Sequence, residues 1–173
     1  NQPANYDAVR GIIAQSCLTP EQYEKYYKSA RGISFLPFKD YSERIAFFDK
    51  QGNLINEDHP QKGMARSGNE IAVWKTMPSD EFYFGLGEKS GSLDRKGKSY
   101  VNWNSDIPAY KADTDPLYQT IPFFYGIRKG TAYGIFFDNT YRSYFNFGKE
   151  HPDQYSFGAV DGEINYYFIY GPK

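Results

Sequence analysis

The sequence predicts a mainly β protein, an antiparallel β-sandwich preceded by one short N-terminal helix, and three observations predict it. From about residue 33 onward, strand-length runs rich in Phe, Tyr, Ile and Val are separated by Gly, Asn, Asp and Pro. No helical pattern alternates with those runs, which argues against a parallel sheet with crossover helices. Aromatic residues make up 19% of the 173 residues, with 17 Tyr and 14 Phe, and this is the bulky apolar material that two packed sheets consume. One core is expected over residues 1–173, since a chain of this size buries about 70% of the surface its unfolded form exposes.

Taken in order, residues 19–30 carry the helix signal: Thr19 can cap, Pro20 suits the first turn, Gln22 completes a capping box and Gly32 stops the run. Tyr23, Tyr26, Tyr27 and Ala30 recur at helical spacing, so this helix is expected to lie on something apolar. Residues 44–49 and 54–55 flank Lys50-Gln51-Gly52-Asn53, a hairpin turn in which Gly52 is free to take a positive φ. Strands are then expected at 70–76, 82–86, 99–103, 122–128, 131–138, 141–147, 155–159 and 163–170. Arg128-Lys129-Gly130 and Val160-Asp161-Gly162 read as the tightest hairpin connections among them. Within 141–147 the aromatics Tyr141, Tyr144, Phe145 and Phe147 do not alternate, which implies either two covered faces or a bulge. Gly85 and Gly87 flank Leu86 at a strand end, where missing Cβ atoms permit a bend or a close backbone approach.

One stretch has no usable periodicity. Residues 104–121 carry Asp106, Pro108, Asp113, Asp115 and Pro116 and read as a long loop. Ordered loops longer than about 12–15 residues are uncommon and are often functional.

Charge and composition narrow the function. The 20 Lys plus Arg balance 21 Asp plus Glu to a net charge of -1, which leaves no footprint for nucleic acid or an anionic membrane. Neither a run of 18 apolar residues nor a secretory start is visible, so a soluble protein is expected. The single cysteine, Cys17, excludes an internal disulfide framework and thiol-cluster metal sites and suits a reducing, cytoplasmic setting. Cys17 lies in the mostly apolar run 11–18 and reads as a small packed side chain. After Gly85 and Gly87 no helix start and no Gly-Lys-Ser step follows, so a nucleotide cradle is not expected; nor is any metal or other cofactor. Glu88 is a carboxylate that could serve catalysis, but beside Lys89 and near Arg95 it reads as an ion-paired structural group.

A resemblance rests on colinear pieces. Tyr83-Phe84-Gly85-Leu86-Gly87-Glu88-Lys89, Leu93-Asp94-Arg95-Lys96-Gly97, Trp103-Asn104-Ser105-Asp106, Thr114-Asp115-Pro116-Leu117-Tyr118, Ile121-Pro122-Phe123-Phe124 and residues 133–140 occur in one order. Together they resemble the N-terminal domain of family 31 glycoside hydrolases of the α-glucosidase type. The final 166–172 resembles the strand and Gly-Pro step that lead toward the catalytic barrel in those enzymes. The resemblance implies a galactose-mutarotase-like β-sandwich that packs on a (β/α)8 barrel of the same polypeptide and lends one loop to its active-site rim. The aspartate of that loop matches Asp106, so the resemblance implies that Asp106 accepts hydrogen bonds from hydroxyls of an α-glucoside or oligosaccharide substrate. Read without the family, Asp106 can also simply cap the turn before Ile107-Pro108. Trp103 and Tyr110 could offer a stacking face to a pyranose, although packing is the commoner use of such rings.

The reaction centre is expected to be absent. A retaining glycosidase needs two carboxylates about 5–5.5 Å apart, which that family takes from barrel strand ends, and a barrel alone needs at least about 200 residues. No residue of this chain is therefore expected to be catalytic, and the chain alone is expected to be inactive. Two rival readings remain. The same sandwich serves aldose epimerases, for which His59 and His151 are the imidazoles available, and the aromatic content suits a free-standing carbohydrate-binding module.

Overall fold

The computed structural model describes residues 45–171, so the helix expected at 19–30 and Cys17 lie outside the described residues. The described chain falls into two compact units. In the first, β1 (Ala46–Phe48) and β2 (Leu54–Glu57) form an antiparallel hairpin. Its turn is built as expected: Gly52 has φ 82°, and the Asp49 carboxylate accepts the Gln51 and Asn53 backbone N–H groups at 2.9 and 2.8 Å.

The second unit, which begins at Asp58, is the sandwich. Its strands are β3 (Met64–Ser67), β4 (Glu70–Thr76), β5 (Phe82–Gly87), β6 (Ser99–Asn102), β7 (Thr120–Arg128), β8 (Thr131–Phe137), β9 (Ser143–Asn146), β10 (Gln154–Ala159) and β11 (Tyr166–Tyr170). They form a five-stranded sheet ordered β3-β4-β10-β9-β6 and a four-stranded sheet ordered β11-β8-β7-β5, with every pairing antiparallel. No helix occurs among the described residues.

Alternation along the strands builds the core. Tyr133, Ile135 and Phe137 of β8 and Tyr83 of β5 point inward from the four-stranded sheet, against Ile71, Val73, Phe145, Tyr155 and Phe157 of the five-stranded one. Phe124 of β7 sits at the centre. Its ring meets Phe147, Tyr155, Phe145 and Phe157 at centroid separations of 5.0, 5.6, 6.0 and 6.1 Å, all close to edge-on.

Three expectations need correction. Residues 64–67 form a strand that carries little apolar or β-branched signal; it is specified by the tight turn at Gly68-Asn69, which pairs Ser67 with Glu70. Val160-Asp161-Gly162 is not a hairpin, because β10 pairs with β4 and β9 whereas β11 pairs with β8, so this segment passes from one sheet to the other. Of the two readings of 141–147, two covered faces or a bulge, the bulge does not occur in β9, whose register with β10 and β6 is continuous. The bulge lies in β5, between Gly85 and Gly87, where Leu86 takes φ 70° and turns its fully buried side chain into the core. The connection Lys129-Gly130 is a two-residue turn with both φ values positive, as the sequence predicts.

Candidate functional site

The β6–β7 connection, residues 103–119, is long but held at several points. Ser105 N–H donates to the Leu117 carbonyl at 2.9 Å, and the Thr120 hydroxyl donates to Asn104 Oδ1 at 2.7 Å, so the two ends of the loop are tied together. Leu117 is buried and plugs the loop into the core. The Tyr118 hydroxyl donates to the Ile107 carbonyl at 2.5 Å, and its ring meets that of Tyr110 edge-on at 6.2 Å.

A second anchor comes from the segment after β5. Lys89 Nζ lies 2.7 Å from Asp115 Oδ1 with its side chain fully buried, and it donates to the Val101 carbonyl at 2.5 Å. The other Asp115 oxygen accepts the Val101 N–H. Burial lowers the Lys89 pKa, and the Asp115 carboxylate opposes that shift. The Ser90 hydroxyl adds a bond to the Thr114 carbonyl at 2.9 Å.

Asp106 stands exposed on this braced loop. Trp103 and Tyr110, the rings considered for stacking, are also exposed, which sets them apart from the packed aromatics of the core. The ion pairing expected of Glu88 does not occur: Glu88 is exposed, Lys89 pairs with Asp115, and Arg95 donates to the Gly85 and Ser92 carbonyls at 3.2 and 2.9 Å. The reason is geometric: at the bend that follows β5, Lys89 turns inward to Asp115 while Glu88 faces solvent.

Beside the loop lies a cleft of about 420 Å³ lined by Asn102, Trp103, Asn104, Thr120, Pro122, Asn139, Thr140, Tyr141 and Ser143. Three segments meet there because Asn102 and Ser143 are opposite each other in the β6–β9 ladder and Thr120 is tied to Asn104. Asp106 is not among the lining residues but follows Asn104 by two positions, at most about 7 Å of chain. The sequence singled out Trp103 alone of this set. Asn102, Thr120, Asn139 and Tyr141 carry no mutual signal, since their closeness is created by strand pairing.

The lining contains no carboxylate and no imidazole, hence no acid–base pair. His59 is used in a turn, where its Nδ1 accepts the Gln61 N–H at 3.3 Å, and His151 is exposed in the β9–β10 connection. Among the described residues no group of three His, Cys, Asp or Glu is placed to hold a metal ion.

Comparison with known proteins gives concordant matches. Residues 18–146 match the family described as the glycosyl hydrolase 31 N-terminal galactose mutarotase-like domain. The chain is 41% identical over 131 residues to α-glucosidase 2 of Bacillus thermoamyloliquefaciens, covering 75% of this chain and 16% of that protein. It is 38% identical over 149 residues to an α-glucosidase of Saccharolobus solfataricus, covering 85% of this chain and 20% of that one. Among solved structures, a GH31 dextranase from Flavobacterium johnsoniae, complexed with glucose, superposes with a TM-score of 0.70 at 47% identity, covering 74% of this chain and 15% of that one. The chain thus spans about a fifth or less of the length of each of these relatives.

Proposed function

The chain belongs to the glycosyl hydrolase 31 N-terminal galactose mutarotase-like domain family, and from that membership we propose that it is the non-catalytic N-terminal domain of an enzyme hydrolysing α-glucosidic bonds. In this reading the sandwich packs on a catalytic barrel of the same polypeptide, and the loop 103–119 presents Asp106 to the sugar pocket that the barrel completes. The observation that carries it is the contrast within the loop: Leu117 and the Lys89–Asp115 pair fix its base, while Asp106 at the rim is left exposed. A carboxylate held on a rigid frame accepts hydroxyl hydrogen bonds without first ordering the loop that carries it.

The outer face of the four-stranded sheet supports the packing role. Phe82, Tyr125, Tyr167 and Ile169 are exposed there, with Phe84 stacked on Tyr125 at 5.4 Å and Phe136 on Tyr167 at 5.9 Å.

Hydrolysis of an aryl α-glucoside tests the proposal. The 173-residue chain alone is expected to release no product. In the full enzyme Asp106→Ala is expected to lower kcat/KM about 10–100-fold, the loss of one or two hydrogen bonds to a charged acceptor. An unchanged kcat/KM, or turnover by the chain alone, would refute it.

A further inference from the structure

We infer that the cleft between the ends of β6, β7 and β9 is itself a binding site for a neutral, hydroxyl-rich ligand, a hexopyranose unit of an oligosaccharide. Four observations lead there. Asn102, which lines the cleft, is only 4% exposed, and neither its Nδ2 nor its Oδ1 has a hydrogen-bond partner. Buried amides are almost always paired, so an orphaned one at the floor of a cleft is a group kept for something that is not always present.

Second, two aromatic side chains stand at the cleft with much of their rings in solvent, Trp103 at 48% and Tyr141 at 49% exposure. An exposed ring beside polar groups suits the axial C–H face of a pyranose, which is apolar although the rim of the sugar is not.

Third, the lining holds no charged residue, which disfavours phosphates, carboxylates and amines and favours an uncharged ligand. Fourth, the remaining polar groups are partly committed in a way that fixes their orientation. Asn104 Oδ1 accepts the Thr120 hydroxyl at 2.7 Å, so its NH2 faces away from Thr120 as a donor. Asn139 is tied to the Asp161 carbonyl at 3.0 Å and the Tyr141 N–H at 2.8 Å, which fixes the backbone on which Tyr141 stands.

The chemistry follows from the amide. One carboxamide offers a donor and an acceptor side by side, the complement of two vicinal hydroxyls that each donate and accept. Both Asn102 amide atoms lie beneath the surface, so a sugar reaches them only when the side chains lining the cleft shift, a motion open to exposed groups.

Titration of the 173-residue chain with maltose, followed by the Asn102 side-chain NH2 resonance and by calorimetry, tests the site. Binding is expected with a Kd on the order of 1 mM. Trp103→Ala, a change at an exposed position, is expected to weaken it at least about 10-fold. Asn102→Leu is expected to abolish it without lowering Tm, because removing an unpaired buried amide takes away no hydrogen bond. The titration uses the chain by itself and the Asp106 test reads kcat/KM of the full enzyme, so failure of either leaves the other proposal standing. No saturation by about 50 mM maltose, or affinity that survives both Trp103→Ala and Asn102→Leu, would overturn the assignment.

Discussion

Two buried ionisable residues place the sharpest demands on this fold. Lys75 on β4 reaches Asp58 at 2.6 Å with both side chains at 0% exposure, and its ammonium stands 5.1 Å from the centre of the Tyr166 ring. Lys75→Met takes this buried cation away from the Asp58 carboxylate. The expected cost is about 3–5 kcal/mol, a fall in Tm of roughly 10 °C by circular dichroism. Glu81 is a buried carboxylate of the other kind. Gly126 makes room for it, since a Cβ there would lie 2.6 Å from Oε1. Burial raises the Glu81 pKa, and the Tyr133 and Tyr83 hydroxyls, Arg128 and Lys96 act in the opposite sense. No donor meets either Glu81 oxygen in hydrogen-bonding geometry, so those hydroxyls act on it as nearby dipoles. With its pKa raised above the unfolded value, the folded state holds the proton more tightly. The stabilisation is therefore complete below the unfolded pKa and is lost as pH rises through the folded one. Glu81→Gln is expected to raise Tm at neutral pH, and the gain should shrink as the pH falls toward 4.5. None of this was legible in the sequence, where Lys75 falls inside an expected strand and Glu81 between two of them; burial is decided by which strands stack over them. Asp106 was legible as a loop carboxylate, because turn chemistry is local.

At the scale of elements, strands with strong β patterns fall where the sequence places them, and the differences have local causes. Residues 70–76 coincide with β4, whereas the expected strand 141–147 shortens to β9 (Ser143–Asn146) because Asn139 folds its amide onto the Tyr141 backbone. The β5 bulge is the element on which the neighbouring loop depends. It turns Leu86 into the core and ends the strand just before Lys89, which anchors Asp115. Gly85 permits it with φ 120°, and a Cβ there would stand 2.6 Å from the Phe123 carbonyl oxygen. Gly85→Ala is expected to cost about 2 kcal/mol or more and to loosen the β5–β7 pairing, visible as faster amide exchange at Phe124 and Tyr125. The glycines announced a bend in the sequence, but not which residue would turn inward.

At the scale of the whole chain, the two sheets differ in how their outer faces meet water. That of the four-stranded sheet leaves Phe82, Tyr125, Tyr167 and Ile169 exposed. The isolated chain is expected to self-associate, with a scattering mass that rises with concentration. Tyr167→Lys with Ile169→Lys should restore a monomer while changing stability by no more than about 0.5 kcal/mol per site. A monodisperse wild-type monomer at high concentration would count against a partner for this face. The sequence by itself determined the β class, most strand positions, the long loop and the family, because alternation, turn residues and colinear motifs are written in neighbouring positions. Only the tertiary structure decided that β10 and β11 lie in different sheets, that Lys89 holds Asp115 and not Glu88, and that Asn102, Thr120 and Tyr141 share one cleft. Those outcomes depend on which strands pair and on what stacks above them, free energies summed over contacts between residues tens of positions apart, which no local pattern encodes.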